Sequence, residues 1–177
     1  MAKDIAAFGL CPDRDTLDRA VDALRVAGFR KSDVSVLLPE SLGNKDIGHE
    51  AHTKAPEGTT VGATTGAVVG GALGWLVGLG ALAIPGLGPL VAAGPLVSAL
   101  AGAGAAGATG GIIGALVGYG IPEYEAKLYE GRIRQGHILL SVHCDDRDWA
   151  RRAKETLRTA GATDVATSGE SAADYHP

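Results

Sequence analysis

The stretch DIAAFGLCPDRDTLDRAVDALRVAG at residues 4–28 occurs a second time, as HILLSVHCDDRDWARRAKETLRTAG at residues 137–161. The two copies align without a gap at a constant offset of 133, and 11 of the 25 aligned positions are identical. The identities run from Ile5 and Ile138 at one end to Gly28 and Gly161 at the other. This agreement indicates an internal duplication.

Each copy has the pattern of a strand followed by a helix. Residues 4–11 are an apolar run that favours a strand. An acidic cluster then supplies N-cap residues, apolar residues follow at helical spacing over 16–27, and a glycine at position 28 ends the helix. A second strand is predicted over residues 34–38 in the first half and near residues 164–168 in the second.

Two such halves in one sheet predict an α+β fold of the ferredoxin-like, split βαβ type. It has two helices on one face of a four-stranded antiparallel sheet. In this fold the first strands of the two halves are antiparallel, so Cys11 and Cys144 should lie at opposite ends of the sheet, beyond disulfide reach. The predicted boundaries are 1–57 for the first half and a polar loop, 58–121 for an insertion, 122–168 for a connecting helix and the second half, and 169–177 for a tail.

The insertion differs in character from its flanks. The 65 residues from Gly58 to Pro122 include no Asp, Glu, Lys, Arg or His, and small residues recur at every fourth position in both halves of the stretch. Residues four apart lie on one face of a helix, so the pattern predicts two helices that pack closely along stripes without side chains. The predicted helix-packing residues are Gly62, Gly66, Gly70, Gly74, Gly78, Gly102, Gly110, Gly114 and Gly118.

We therefore predict an inserted glycine-zipper helical hairpin, with arms at 59–84 and 96–119 and an apolar linker at 85–95. Each arm is long enough to cover roughly 30 Å of hydrocarbon at 1.5 Å per residue. Two interpretations remain: the hairpin enters a bilayer, or it is buried inside a soluble homo-oligomer. Both imply self-association, because an apolar surface of this extent marks an interaction site. The stripe Gly66, Gly70, Gly74 is expected to face the stripe Gly110, Gly114, Gly118.

The segment that follows the insertion, residues 122–135, is predicted to be a short helix. It begins with a proline and carries acidic residues early and basic residues late, as suits the helix dipole. Tyr124 and Leu128 are four residues apart and share a face of this helix. We expect these two side chains to be its buried stripe against the sheet domain.

Three patterns could carry chemistry, and each has a simpler explanation. The repeated Cys-x-Asp-Arg-Asp motif lies at strand-to-helix junctions, where aspartate caps a helix. His49 and His52 lie in a polar loop and could share a metal only if that loop were helical, while His137 and His143 would be about 20 Å apart on one strand. No phosphate-binding loop and no set of nucleophile, base and orienting group can be assembled. We predict no catalytic residue, no cofactor and no metal, and hence no enzyme.

Charge limits the choice of partner. The net charge is −4 and the pI is about 5.7, with no basic run, so nucleic-acid binding is not expected. The N terminus lacks the basic and then apolar pattern of a signal peptide. The expected partner is the chain itself in a homo-oligomer, with a lipid bilayer as a possible second. The expected location is the cytoplasmic side of a membrane or, for a large soluble assembly, the cytoplasm.

Three segments resemble one protein family. They are LVGLGALAIPGLGPLVAAGP at 76–95, GGIIGALVGYGIPEYEAKLYEGRIRQGHILLSV at 110–142, and the opening strand–helix–strand unit with AGF at 27–29. In these segments the chain is similar to the bacterial heat-induced general stress protein family, the YflT-like "general stress protein 17M" group. The most specific part is residues 121–140. The resemblance implies a stress-associated role and supplies no enzymatic activity.

Two functional hypotheses follow. The first is a non-enzymatic stress-response protein that self-associates through the glycine-zipper hairpin at a membrane. The second is a soluble, homo-oligomeric regulatory or ligand-sensing module in which the hairpin forms the core of the assembly. Dependence on detergent separates them, because only the first requires lipid.

Overall fold

The computed structural model describes residues 5–39, 80–84, 88–94, 111–118 and 121–168. Predictions for the polar loop, for much of the insertion and for the tail lie outside these ranges. The described chain is an α+β protein with a short 3-10 helix at Lys31–Asp33. Its strands are β1 (Ile5–Cys11), β2 (Val34–Pro39), β3 (Gly80–Ile84), β4 (Gly88–Ala93), β5 (Ile138–Cys144) and β6 (Thr163–Thr167), and its helices are α1 (Arg14–Val26), α2 (Gly111–Gly118), α3 (Glu123–Arg134) and α4 (Arg147–Thr159).

The duplicated sequence folds into duplicated structure. Strands β1 and β5, and likewise helices α1 and α4, begin and end at positions that differ by 133. Asp13 caps α1 by accepting a hydrogen bond from the backbone N–H of Thr16, and Asp146 caps α4 in the same way. After each helix, Gly28 and Gly161 have φ values of +96° and +99°, where a side chain would be strained. The capping interpretation of the repeated motif is confirmed.

The central pair of the sheet joins the two halves. Strands β1 and β5 pair antiparallel over seven residues, with Cys11 opposite Ile138 and Cys144 opposite Ile5. The two cysteines therefore lie at opposite ends of this pair, as predicted, and both are free and buried. The two strands of each half run parallel to each other, because both are antiparallel to the strand of the other half that lies between them.

Within the described ranges the sheet has six strands where four were expected, in the order β3-β4-β2-β5-β1-β6. The predicted first arm of the helical hairpin ended at residue 84 and the linker ran from 85 to 95, but the structure places β3 and β4 there. Strand β4 pairs with β2 from Val36 opposite Ala93 to Pro39 opposite Leu90. Glycine and proline weaken a helix in this stretch, whereas pairing with the open side of β2 satisfies the backbone groups.

Both faces of the sheet are covered. On one face α1 and α4 pack through side chains such as Leu17, Leu24 and Leu157, which agrees with the predicted pair of helices. The other face carries α2 and α3, and its core consists of Ala6, Phe8, Leu10, Leu37, Leu90, Ala92, Ile112, Leu116, Ile121, Ala126, Tyr129, Ile133 and Leu139. No helix within the described ranges has both the length and the apolar character needed to cross a membrane.

Helix α3 docks on the sheet through a different stripe from the predicted one. Tyr124 is 81% exposed and Leu128 is only half-buried. The buried residues are Ala126, Tyr129 and Ile133, which also share one helical face. The Tyr129 ring lies 6.4 Å from the ring of Phe8, so the aromatic partner on β1 decides which stripe of the helix is buried.

The identity of the buried stripe on α3 gives the first testable prediction. Ile133→Ala should lower the free energy of unfolding by about 2–5 kcal/mol, since it removes a fully buried aliphatic side chain. Tyr124→Ala, on the same helix but largely exposed, should change it by less than about 0.5 kcal/mol. Urea denaturation of the two variants measures the difference. Equal losses would mean that α3 is not docked as described.

Candidate functional site

A cleft of about 460 Å³ opens beside β6, between α3 and the C-terminal part of α4. Binding sites for small molecules in proteins span roughly 300–1,000 Å³, so the cleft is large enough for a ligand. It is the candidate binding site in the described part of the chain. The lining residues are Tyr124, Glu125, Leu128, Tyr129, Arg158, Ala162, Asp164, Val165 and Ala166.

Asp164 fixes the floor of the cleft. Its φ of +49° is a left-handed conformation that is uncommon outside glycine. The Tyr129 hydroxyl donates a hydrogen bond of 3.0 Å to the Asp164 carbonyl oxygen, and Arg132 Nε lies 3.7 Å from the Asp164 carboxylate. Two residues of α3 therefore hold the start of β6 in place.

The walls of the cleft combine apolar and charged groups. Tyr124 and Leu128 present apolar surface from α3, and Val165 presents it from β6. Arg158 adds an exposed guanidinium from the last turn of α4. The lining also includes the side chains of Glu125 and Asp164, so two carboxylates and one guanidinium border the apolar surface.

The Tyr129 hydroxyl beside the cleft is a fixed hydrogen-bond donor. Burial raises the pKa of Tyr129 well above its ordinary value, and the negative charges of Glu125 and Asp164 raise it further. The hydroxyl therefore remains protonated and committed to the Asp164 carbonyl. The lining residues include no Ser, Cys or His that could serve as a nucleophile with a base beside it.

The predicted helix-packing residues divide between described and undescribed parts of the chain. Gly114 and Gly118 lie on the exposed side of α2, and no described atom comes within 4 Å of a Cβ built at either position. Ile112 and Leu116 on the same helix are fully buried. The facing of the two glycine stripes thus stays a prediction. Gly62, Gly66, Gly70, Gly74, Gly78, Gly102 and Gly110 lie outside the described residues.

Neither cysteine is poised to act as a nucleophile. Burial raises the pKa of Cys11 to about 12, with the charge of Asp13 adding to the effect. Burial likewise raises the pKa of Cys144 to about 11. The reactive thiolate forms of both residues are therefore scarce near neutral pH.

The histidine positions give no metal cluster in the described ranges. There, no group of three or more His, Cys, Asp and Glu residues could hold a metal ion. His143 lies within β5 opposite Ala6, and His137 directly precedes that strand. His49 and His52 lie outside the described residues.

Sequence reasoning did not find the cleft, although one signal for it was present. Five residues separate Gly28 from β2, but one residue separates Gly161 from β6. The second half therefore lacks the 3-10 turn of the first, and the chain enters β6 through the left-handed Asp164. This departure from the repeat marks the strand that forms the floor of the cleft.

No family model, no curated protein and no solved structure matches this chain in the comparisons made. The resemblance to general stress proteins thus depends on the quoted sequence segments alone.

The burial of the thiols leads to the second prediction. In the native protein at pH 7.5, we expect Cys11 and Cys144 to resist alkylation by iodoacetamide, and both should react fully in concentrated urea. Mass spectrometry after a timed quench measures the modified fraction at each site. Rapid modification of either cysteine in the native protein would show that its strand end is open to solvent.

Proposed function

We propose that the chain is a non-enzymatic stress-response protein that self-associates through its charge-free segment, residues 58–121, at a membrane. One observation carries this proposal. Helix α2 lies in that segment and is anchored on the sheet by Ile112 and Leu116. Its opposite side is uncharged and exposed, with Val117 at 42% exposure between Gly114 and Gly118.

The exposed side of α2 is better suited to packing against another helix than to contact with solvent. Helix axes normally pack 8–10 Å apart, and glycine allows a closer approach because no side chain intervenes. Any Cβ placed at Gly114 or Gly118 would point into open space in the described structure. Their lack of side chains is therefore not required by the packing of α2 on its own domain. A helix of a second copy, with its own glycine stripe, is the occupant that we propose.

We also infer that the two repeats form a ferredoxin-like domain. In support, their four strands follow the order β2-β5-β1-β6, and α1 and α4 share one face of the sheet. The insertion leaves this domain after β2 and returns at α3. In this view it adds β3, β4 and α2 around a domain that the repeats define. This assignment concerns architecture alone, since fold does not determine function.

For the location, we propose the cytoplasmic side of a membrane, with a large soluble assembly in the cytoplasm as the alternative. The eight residues of α2 extend about 12 Å at 1.5 Å per residue, well short of the roughly 30 Å hydrocarbon core. This helix would therefore contact a bilayer at its surface. Its lack of charged side chains suits an apolar environment, at the surface of a bilayer in the first case or in the core of an assembly in the second.

A second candidate function, a homo-oligomeric ligand-sensing module, is favoured by the cleft beside β6. Its size and its mixture of an exposed tyrosine, aliphatic side chains and charged groups suit a small amphipathic ligand. The two candidates differ in what the substitution Arg158→Ala would change. A sensing module would lose response to its ligand, while an assembly protein would associate as before.

The exposed glycine of α2 gives the third prediction. Gly114→Leu should leave the domain folded, because the site is open, and should shift the protein to smaller species by obstructing the approach of a second helix. Gly131→Leu is the matched control, since Gly131 lies in helix α3 and a Cβ there also meets no described atom. Sedimentation velocity gives the size, and circular dichroism checks the fold.

Two outcomes would count against the proposal. If Gly114→Leu assembles as the parent does, the exposed side of α2 is not the contact. If the parent purifies from the cytosolic fraction as a large particle without detergent, the assembly is soluble and the membrane location is wrong. Pelleting with lipid and resistance to carbonate extraction would support the membrane location instead.

A further inference from the structure

The helices of the two repeats differ in charge. Helix α1 has three basic and three acidic residues, whereas α4 has five basic and two acidic residues. The whole chain is acidic, with a net charge of −4. Helix α4 is therefore a locally basic element of an acidic protein, and such an element attracts anionic partners.

The basic residues of α4 are concentrated on one face. Four of the five follow one another at intervals of three or four residues, so they lie along one side of the helix. They are Arg147, Arg151, Lys154 and Arg158, which we call the basic stripe. At the matching positions of α1, Asp18 stands in place of Arg151, and the buried Val21 stands in place of Lys154. The second repeat thus has two cations where the first has an anion and a core side chain.

The basic stripe lies on the side of α4 that faces β6. Arg158 lines the cleft beside β6, and the other three residues share its helical face. On the opposite side of α4, the Trp149 ring packs edge-on against Phe29, which follows α1, with 5.1 Å between the ring centroids. The three arginines of the stripe are exposed and Lys154 is half-buried. The stripe is therefore an outer surface of the domain.

The acidic residues of α4 neutralise little of this charge. Among the described residues, Arg147 and Arg158 have no ion-pair partner. Arg151 Nη1 lies 3.1 Å from the Asp148 carboxylate, but both side chains are largely exposed, and pairs of this kind are weak. Glu155, the other acidic residue of α4, lies about a quarter turn around the helix from the stripe.

Two carboxylates of the cleft lie near one end of the stripe. Asp164 lies 3.7 Å from Arg132 Nε, and Glu125 is half-buried. They reduce the positive charge beside Arg158. We therefore expect the other end of the stripe, around Arg147, to contribute most to binding an anion.

An exposed aromatic side chain adjoins the basic stripe. Tyr124 is 81% exposed on α3, and it lines the same cleft as Arg158. Leu128 and Val165 add apolar surface beside it. Cations and an amphipathic ring therefore lie next to each other on one side of the domain.

We propose that the basic stripe and Tyr124 together bind the surface of a bilayer that contains anionic lipids. This inference rests on the membrane location in the proposed function and names the surface that meets the bilayer. The stripe extends about 17 Å at 1.5 Å per residue, so no single small anion can contact all four cations. An anionic bilayer presents many headgroups over this distance. Clusters of four or more basic residues bind such headgroups, and tyrosine is favoured at the membrane–water interface.

The chemistry of the surface favours lipid over an acidic protein segment. An acidic segment would also satisfy the cations, but it gives no role to the exposed Tyr124 beside them. The surface does not include α2. Contact with lipid and self-association through α2 can therefore be lost separately.

Cosedimentation of the full chain with vesicles tests the proposal. The parent should bind phosphatidylcholine vesicles that contain about 30% phosphatidylserine at least about tenfold more tightly than vesicles of phosphatidylcholine alone. Sodium chloride at about 0.5 M should remove most of this difference, because salt screens the attraction between exposed charges.

Two variants test the residues of the surface. Arg147→Gln combined with Arg151→Gln and Arg158→Gln removes three positive charges and should weaken binding to the anionic vesicles by at least about tenfold. Tyr124→Ala removes the exposed ring and should weaken it several-fold while the domain stays folded. Circular dichroism checks the fold of both variants.

A matched control removes the same charge from other places. Arg25→Gln combined with Lys31→Gln and Arg134→Gln also removes three positive charges from exposed positions. Arg25 is the counterpart of Arg158 in the first repeat, so this variant also asks whether α1 could act in place of α4. It should bind the anionic vesicles nearly as the parent does.

The outcomes separate this inference from the proposed function. If the parent binds neutral and anionic vesicles equally, or if the stripe variant binds as well as the control variant, this inference is wrong and the membrane location stands. A parent that sediments with neither kind of vesicle would overturn both. If the parent ignores vesicles and instead binds polyglutamate through the stripe, the surface belongs to an acidic protein partner, and the contact with lipid is wrong. Self-association measured without lipid tests α2 separately.

Discussion

The antiparallel pairing of β1 with β5 holds the two halves of the chain in one sheet. Seven residues from each half of the chain meet in the middle of the sheet, and nearly all of them are buried. Each half inserts its first strand between the two strands of the other, so neither half has a complete sheet by itself. The insertion must therefore leave and return without disturbing this pair, and it does so by adding strands outside β2.

The sequence was most informative where structure depends on local pattern. The repeat at an offset of 133 predicted β1, α1, β5 and α4, and the aspartates at its junctions predicted the caps. Sequence patterns did not predict the structure where contacts with residues far away in the chain determine the local conformation. Strands β3 and β4 form because β2 offers an open side, and α3 turns its Tyr129 stripe inward because Phe8 and the Asp164 carbonyl lie there. The spacing of residues within β3, β4 or α3 does not indicate these partners.

The charge-free segment has two roles in this account. Its described parts complete the domain, since Leu90, Ala92, Ile112 and Leu116 fill the core beneath the second face of the sheet. Helix α2 also leaves uncharged, exposed surface on its outer side, at Gly114, Val117 and Gly118. Under the proposed self-association, absence of charge would serve both burial within one copy and contact between copies.

The described strands of the charge-free segment, β3 and β4, belong to the folded sheet, and amide hydrogen exchange is the measurement that checks their placement. Strand β4 lies between β2 and β3, so its backbone N–H groups are enclosed by strands on both sides. We expect the Val91 and Ala92 amides, in buffer without lipid or detergent, to be protected to a degree comparable with Leu139 and Leu140 in β5. Exchange at β4 as fast as in an unstructured peptide, with β5 still protected, would contradict it.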